Sequence, residues 1–153
     1  MARDLLTYDK EAICIAPAHT WALDDWYKFL FLDDDPARLQ QVREATLAHF
    51  GKHLAPTCSS TWILEMQYPS ITKALGLQKL KKHLNAQKRT VIACGDYEND
   101  TQMLKAADVA VAPANALDTV KAVADHVLCH CKEGLIADVI EAIENGQISP
   151  TER

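Results

Sequence analysis

Two carboxylates four positions apart follow a glycine in the stretch Gly95-Asp96-Tyr97-Glu98-Asn99-Asp100. An apolar run, Thr90-Val91-Ile92-Ala93-Cys94, precedes them, and a helix-like stretch, Met103-Leu104-Lys105-Ala106-Ala107, follows. A strand that ends in glycine and presents acids at its C-terminal tip suits a hard cation. Mg²⁺ keeps several waters and takes one or two protein carboxylates beside a phosphate. Open α/β sheets also place their ligands beyond the C-terminal ends of their strands. Asp96 and Asp100 are therefore candidate metal ligands. The competing role is plainer: Asn99 or Asp100 caps the helix that follows.

Lys73 is the third candidate. It opens a helix-like segment and could neutralise phosphate oxygens as a point charge. Most lysines are solvated surface charges. A cation at a helix N-terminus is opposed by the helix dipole, however, and this favours a functional reason for its position.

The elements that must position these side chains fall into two groups. Before Pro69, strand signals occur at Ala12–Ala16, Trp26–Leu32 and Thr61–Met66. Asp35-Pro36 reads as a helix N-cap and first-turn proline, with Leu39, Val42, Thr46 and Phe50 at helical spacing and Gly51 as the stop. Pro69-Ser70 marks the boundary between residues 1–69 and 70–153. Beyond it, Leu77, Leu80 and Leu84 predict a helix with a buried stripe, capped by Ser70 or Thr72. Short strands are expected at Val91–Cys94, Val109–Ala112 and His126–Cys129, and a last helix over Leu135–Glu144 stops at Asn145-Gly146. Such alternation means βαβ units and a parallel sheet. The expected class is α/β, with a smaller α+β lobe ahead of it.

Composition narrows the function. The 153 residues are 48% hydrophobic, enough for a core, and no run approaches a membrane span. The first residues, Met1 to Leu6, lack the long apolar core of a signal peptide. Net charge of −5 argues against a nucleic-acid partner. Five cysteines without a secreted-scaffold spacing suggest reduced thiols and a cytoplasmic location. His126, Cys129, His130 and Cys131 lack a standard zinc spacing, and ordinary core and loop roles are expected for them. Core packing is likewise the expectation for Trp21, Trp26, Trp62 and Cys94.

Five blocks in order carry a resemblance: Ser70–Leu75, Gly95–Leu104, Val111–Ala116, Ala124–Val127 and Glu133-Gly134. Together they resemble the Cof-type sugar-phosphate phosphatases of the haloacid dehalogenase (HAD) superfamily, over about the last half of the chain. Trp26 to Pro69 is more loosely similar to part of that family's mobile cap. The resemblance implies a HAD-like Rossmannoid parallel sheet, here partial, with a smaller α+β cap lobe. It implies that Lys73 holds the transferred phosphoryl group, that Asp96 ligates Mg²⁺, and that Asp100 ligates it or orients it through water. It further implies that Asn99 sets the loop and that Asn115 faces the substrate, a small phosphorylated metabolite such as a sugar phosphate. A metal and a lysine that offset charge on phosphoryl oxygens supply most of what such catalysis needs.

The departure from that family is equally informative. Its members begin with a strand ending in Asp-x-Asp, whose first Asp is the nucleophile, and a second strand supplies a Ser or Thr for the phosphate. The acids at Asp24-Asp25 and Asp33–Asp35 fall in the cap-like region, and the proline after Asp35 makes that run a strand end and helix cap. The chain therefore reads as the C-terminal portion of a phosphatase: a partial cap, then half a core, without turnover of its own. Its core sheet is expected to present an open edge that invites self-association unless Ile13–Ala16 fills it. The rival reading is a non-catalytic remnant or assembly module with a weak Mg²⁺ and phosphate site.

Overall fold

The computed structural model describes residues 27–149. The expected strand Ala12–Ala16, together with Trp21 and Trp26, lies outside the described residues. The chain runs β1 (Phe29–Leu32), α1 (Pro36–Phe50), β2 (Ala55–Ser60), β3 (Ile63–Gln67), α2 (Lys73–His83), β4 (Ile92–Cys94), α3 (Thr101–Ala106), β5 (Val109–Pro113), α4 (Asp118–Lys121), β6 (His126–Leu128) and α5 (Leu135–Glu144). The strands form two sheets, an antiparallel one in the order β1-β3-β2 and a parallel one in the order β4-β5-β6. No helix among the described residues is long and apolar enough to cross a membrane.

The parallel sheet is built on β5, whose five residues Val-Ala-Val-Ala-Pro are all buried. A strand covered on both faces needs apolar residues at every position, not alternate ones. Successive side chains point to opposite faces. Ala110 and Ala112 accordingly join Ala93, Leu104, Ala107, Ala116 and Val120 on one side. Val109 and Val111 join Leu135, Val139, Ala142 and Ile148 on the other. The small residues of the first side let α3 and α4 approach the sheet closely. Among the described residues β4 pairs on one side only, with β5.

The antiparallel sheet packs one face on α1. Leu64 and Met66 of β3 meet Leu39 there, with Phe29, Val42 and Cys58 around them. α1 starts where the proline predicts: Asp35 accepts a hydrogen bond from the Ala37 amide at 2.9 Å, and Asp33 accepts one from the Asp35 amide at 2.8 Å. Thr72, not Ser70, caps α2 and accepts from the Leu75 amide at 3.1 Å.

Two expectations need correction. β2 reads as loop in the sequence, because Ala-Pro-Thr-Cys-Ser-Ser lacks a strand's apolar alternation. Its position at the sheet edge tolerates the proline, and its register shifts between Cys58 and Ser60. The stripe of Leu77, Leu80 and Leu84 is not buried. Leu80 is 52% and Leu84 62% exposed, and α2 has no fully buried residue. The inward side is set by Ala74, Leu77 and Lys81, the last reaching Asp108 at 3.4 Å. Leu80 lies beside that line, and Leu84 is already the C-cap residue.

Candidate metal and phosphate site

β4 delivers the site loop. Gly95 continues the ladder by one bond, its amide donating to Val111 at 3.2 Å. The chain then turns, and residues Glu98–Asp100 form a single 3₁₀ turn ahead of α3. This turn folds Asp100 back against Gly95. A Cβ at position 95 would lie 2.5 Å from the Asp100 Cβ and 2.9 Å from its Cγ, so only glycine fits. The spacing of glycine and second acid is thus a packing requirement as well as a chemical one.

Asp100 is 5% exposed and fully engaged. One carboxylate oxygen accepts from the Lys73 ammonium at the head of α2. The other accepts from the amides of Asp96 at 3.1 Å and Tyr97 at 3.4 Å. A buried carboxylate is tolerable only when paired in this way. Lys73 itself is about half exposed, with a side-chain relative exposure of 48%, so its ammonium borders open space. Asp96 differs. It is half-buried, and its carboxylate makes no hydrogen bond or ion pair among the described residues. Its carbonyl accepts from the Leu117 amide at 3.1 Å, which fixes the loop against the start of α4.

The structure thus brings Lys73, Asp96 and Asp100 together at the C-terminal end of the parallel strands. Asn99 is half-buried in the same turn. Asn115 lies at the same end of the sheet, after β5, and is exposed. Its side-chain oxygen accepts from the Cys131 amide at 2.9 Å, so it also ties the loop after β5 to the loop after β6. No group of three or more His, Cys, Asp or Glu close enough to hold a metal occurs among the described residues. Two carboxylates suffice for Mg²⁺, which completes its shell with water and phosphate oxygens, so the donor set fits that ion. It does not fit zinc. His130 is engaged instead as a cap, accepting from the Lys132 amide at 3.1 Å.

The antiparallel sheet borders this site. Glu65 on β3 is paired with Lys28 at 3.0 Å. Burial pushes the Glu65 carboxyl up, but hydrogen bonds from Ser59 and Lys28 and the charges of Lys28 and Lys73 outweigh it and leave it lowered. The Lys73 charge therefore reaches this sheet face. Thr57 stands directly across from Glu65, and its buried hydroxyl oxygen has no hydrogen-bond partner among the described residues.

Sequence reasoning missed Glu98 and Arg43. The Arg43 guanidinium on α1 holds both Glu98 oxygens, one at 3.0 Å, and Glu98 also accepts from the Cys58 amide at 2.9 Å. Burial raises the Glu98 carboxyl, and the Arg43 and Cys58 hydrogen bonds with the Arg43 charge bring it below its usual range. The partners are 55 residues apart, and no local pattern marks such a pair.

Comparison with known proteins identifies the family and the fold. The haloacid dehalogenase-like hydrolase family model matches residues 8–140. The chain is 36% identical over 104 residues to the 5-amino-6-(5-phospho-D-ribitylamino)uracil phosphatase YcsE of Bacillus subtilis, covering 67% of this chain and 41% of that protein. It is 36% identical over 109 residues to the pyridoxal phosphate phosphatase YbhA of Escherichia coli, covering 67% and 37%. A haloacid dehalogenase-like hydrolase from Bacteroides thetaiotaomicron superposes with a TM-score of 0.62 at 32% identity, over 76% of this chain and 44% of that one. The chain spans about two fifths of the length of each of these two curated relatives. With the ordered motifs, the parallel sheet and the strand-tip acids, these matches establish that the chain belongs to the haloacid dehalogenase-like hydrolases.

Proposed function

We propose that the described residues form the metal- and phosphate-holding part of a phosphatase site acting on a small phosphorylated metabolite such as a sugar phosphate. The observation that carries this reading is the unequal engagement of the two acids: Asp100 is saturated by Lys73 and two amides, while the Asp96 carboxylate has no partner among the described residues. Asp96 would hold Mg²⁺ directly, with Asp100 acting through water. The bound ion would supply positive charge at the phosphoryl oxygens. Lys73 would orient and neutralise the phosphoryl group, since its ammonium has donors left after bonding Asp100. Asn99 would help set the turn, and Asn115, exposed at the same end of the sheet, would face the substrate.

These groups bind and neutralise; none of them attacks. Asp100 is buried and ion-paired, and Asp96 is assigned to the metal, so neither acid of this loop is left to form an aspartyl-phosphate. The chain is therefore expected to bind without turning over. Isothermal titration with Mg²⁺ in the presence of inorganic phosphate, beside an assay with a general phosphatase substrate, tests this. Binding that is lost in Asp96→Asn, without hydrolysis, is the expected outcome. Absence of binding would remove the metal reading, and robust hydrolysis abolished by Asp96→Asn would overturn the assignment of binding alone.

A further inference from the structure

We propose that Arg43 is a positioning residue that couples the antiparallel sheet to the loading of the Asp96–Asp100 loop, an inference that rests on the metal and phosphate reading of that loop. Arg43 belongs to α1, remote in sequence from the loop, yet its guanidinium meets three groups through four acceptor atoms. It bonds both oxygens of Glu98, the Pro56 carbonyl at 3.4 Å and the Cys58 sulfur at 3.7 Å. Glu98 is gripped a second time from β2, by the Cys58 amide at 2.9 Å. The pair is partly shielded, with side-chain relative exposures of 24% for Arg43 and 36% for Glu98.

The position of Glu98 gives this contact its consequence. It shares the 3₁₀ turn with Asn99 and Asp100 and lies two residues from Asp96 on one side and from Asp100 on the other. Asp100 in turn sets the amides of Asp96 and Tyr97. A shift of Glu98 therefore moves both acids, and a rearrangement of the acids on loading pulls on Glu98. A planar guanidinium that binds a carboxylate through two parallel N–H groups fixes orientation as well as distance, which a lysine cannot do. Nothing else described joins β2 to this turn by a charged pair. Coupling of this kind is reciprocal: whatever the sheet does for ligand affinity, the ligand does for the sheet.

The test uses the full chain with Arg43→Met, Arg43→Lys and Glu98→Gln, and two readouts. The first is Mg²⁺ affinity by calorimetry with inorganic phosphate present. Arg43→Met is expected to weaken it about fivefold or more, with little recovery in Arg43→Lys. The second is hydrogen exchange of the Cys58 amide, resolved by NMR. Its protection is expected to fall about tenfold in Arg43→Met while the core amide of Ala110 is unchanged. Mg²⁺ with phosphate should raise Cys58 protection in the wild type and leave it unaltered in Arg43→Met and Glu98→Gln. Affinities within twofold of wild type, or Cys58 protection unmoved by the substitution, would overturn the proposal. If the wild type takes up no Mg²⁺, the phosphoryl reading falls, and the interlock stands or falls on the ligand-free exchange ratio.

Discussion

Gly95→Ala tests the link between packing and chemistry at the loop most directly. The new methyl carbon would sit 2.5 Å from the Asp100 Cβ and 2.9 Å from its Cγ, where carbon atoms in contact need about 3.5–4.0 Å. Asp100 is 5% exposed and has no space to retreat into without losing partners. Moving it breaks its bonds to the amides of Asp96 and Tyr97 and its pair with Lys73. Overpacking costs about 1–3 kcal/mol, and each hydrogen bond to a charged group contributes about 1.5–3 kcal/mol. Some of these bonds re-form with water, so about 2.5–4 kcal/mol of destabilisation is expected in all, the lower part of the range set by overpacking and one lost charged bond. Urea denaturation followed by circular dichroism measures it. Gly76→Ala is the internal control, because Gly76 lies within α2 and a Cβ there would meet nothing within 4 Å. That change should stabilise by about 0.4–1 kcal/mol, through the loss of backbone freedom in the unfolded chain. If both variants shift the midpoint by the same small amount, the steric account of Gly95 is wrong.

Other consequences are as easily measured. Asp35→Ala removes the side chain that accepts from the Ala37 amide and should cost about 1 kcal/mol, read as a lower denaturation midpoint. Leu104→Ala empties a position with 0% exposure between α3 and the parallel sheet and should cost about 2–5 kcal/mol. Glu65 has its carboxyl lowered in the fold from 4.5, so its contribution is present above that value and is lost as pH falls through the folded one. Acid titrations of wild type and Glu65→Gln should therefore differ most above pH 4.5 and converge below it, whereas a constant offset down to the most acid point would refute the linkage.

What the sequence showed depended on whether the cause was local. The strand expected at Val109–Ala112, the Asp35-Pro36 cap and the stop at Asn145-Gly146 are each decided by residues within a turn of one another, and each appears where the pattern places it, the strand running one residue further to Pro113. β2 was illegible because an edge strand can carry proline and serines that a central strand could not. Leu80 and Leu84 misled for another reason: periodicity reports which side of a helix is apolar, not what covers that side. The nearness of Lys73 to the acids came from the order of the family blocks, since no spacing rule joins positions 73 and 100. Arg43 and Glu98 stayed hidden altogether, because an ion pair between α1 and a 3₁₀ turn exists only once both sheets are in place.

The two acids of the loop show how one residue type acquires two physical roles. Asp100 is taken out of water and surrounded by an ammonium and two amides, so its charge is used up in holding Lys73 and the turn. Among the described residues nothing engages the Asp96 carboxylate, while its backbone is fixed twice, through its amide to Asp100 and through its carbonyl to Leu117. An acid with a rigid main chain and an unspent side chain is preorganised for a ligand, because little ordering remains to oppose binding. The saturated acid is what makes the unsaturated one useful. Glu98 extends the same logic outward: it is also saturated, but by Arg43 and Cys58 of the other sheet, so the rigidity of Asp96 depends on how that sheet sits.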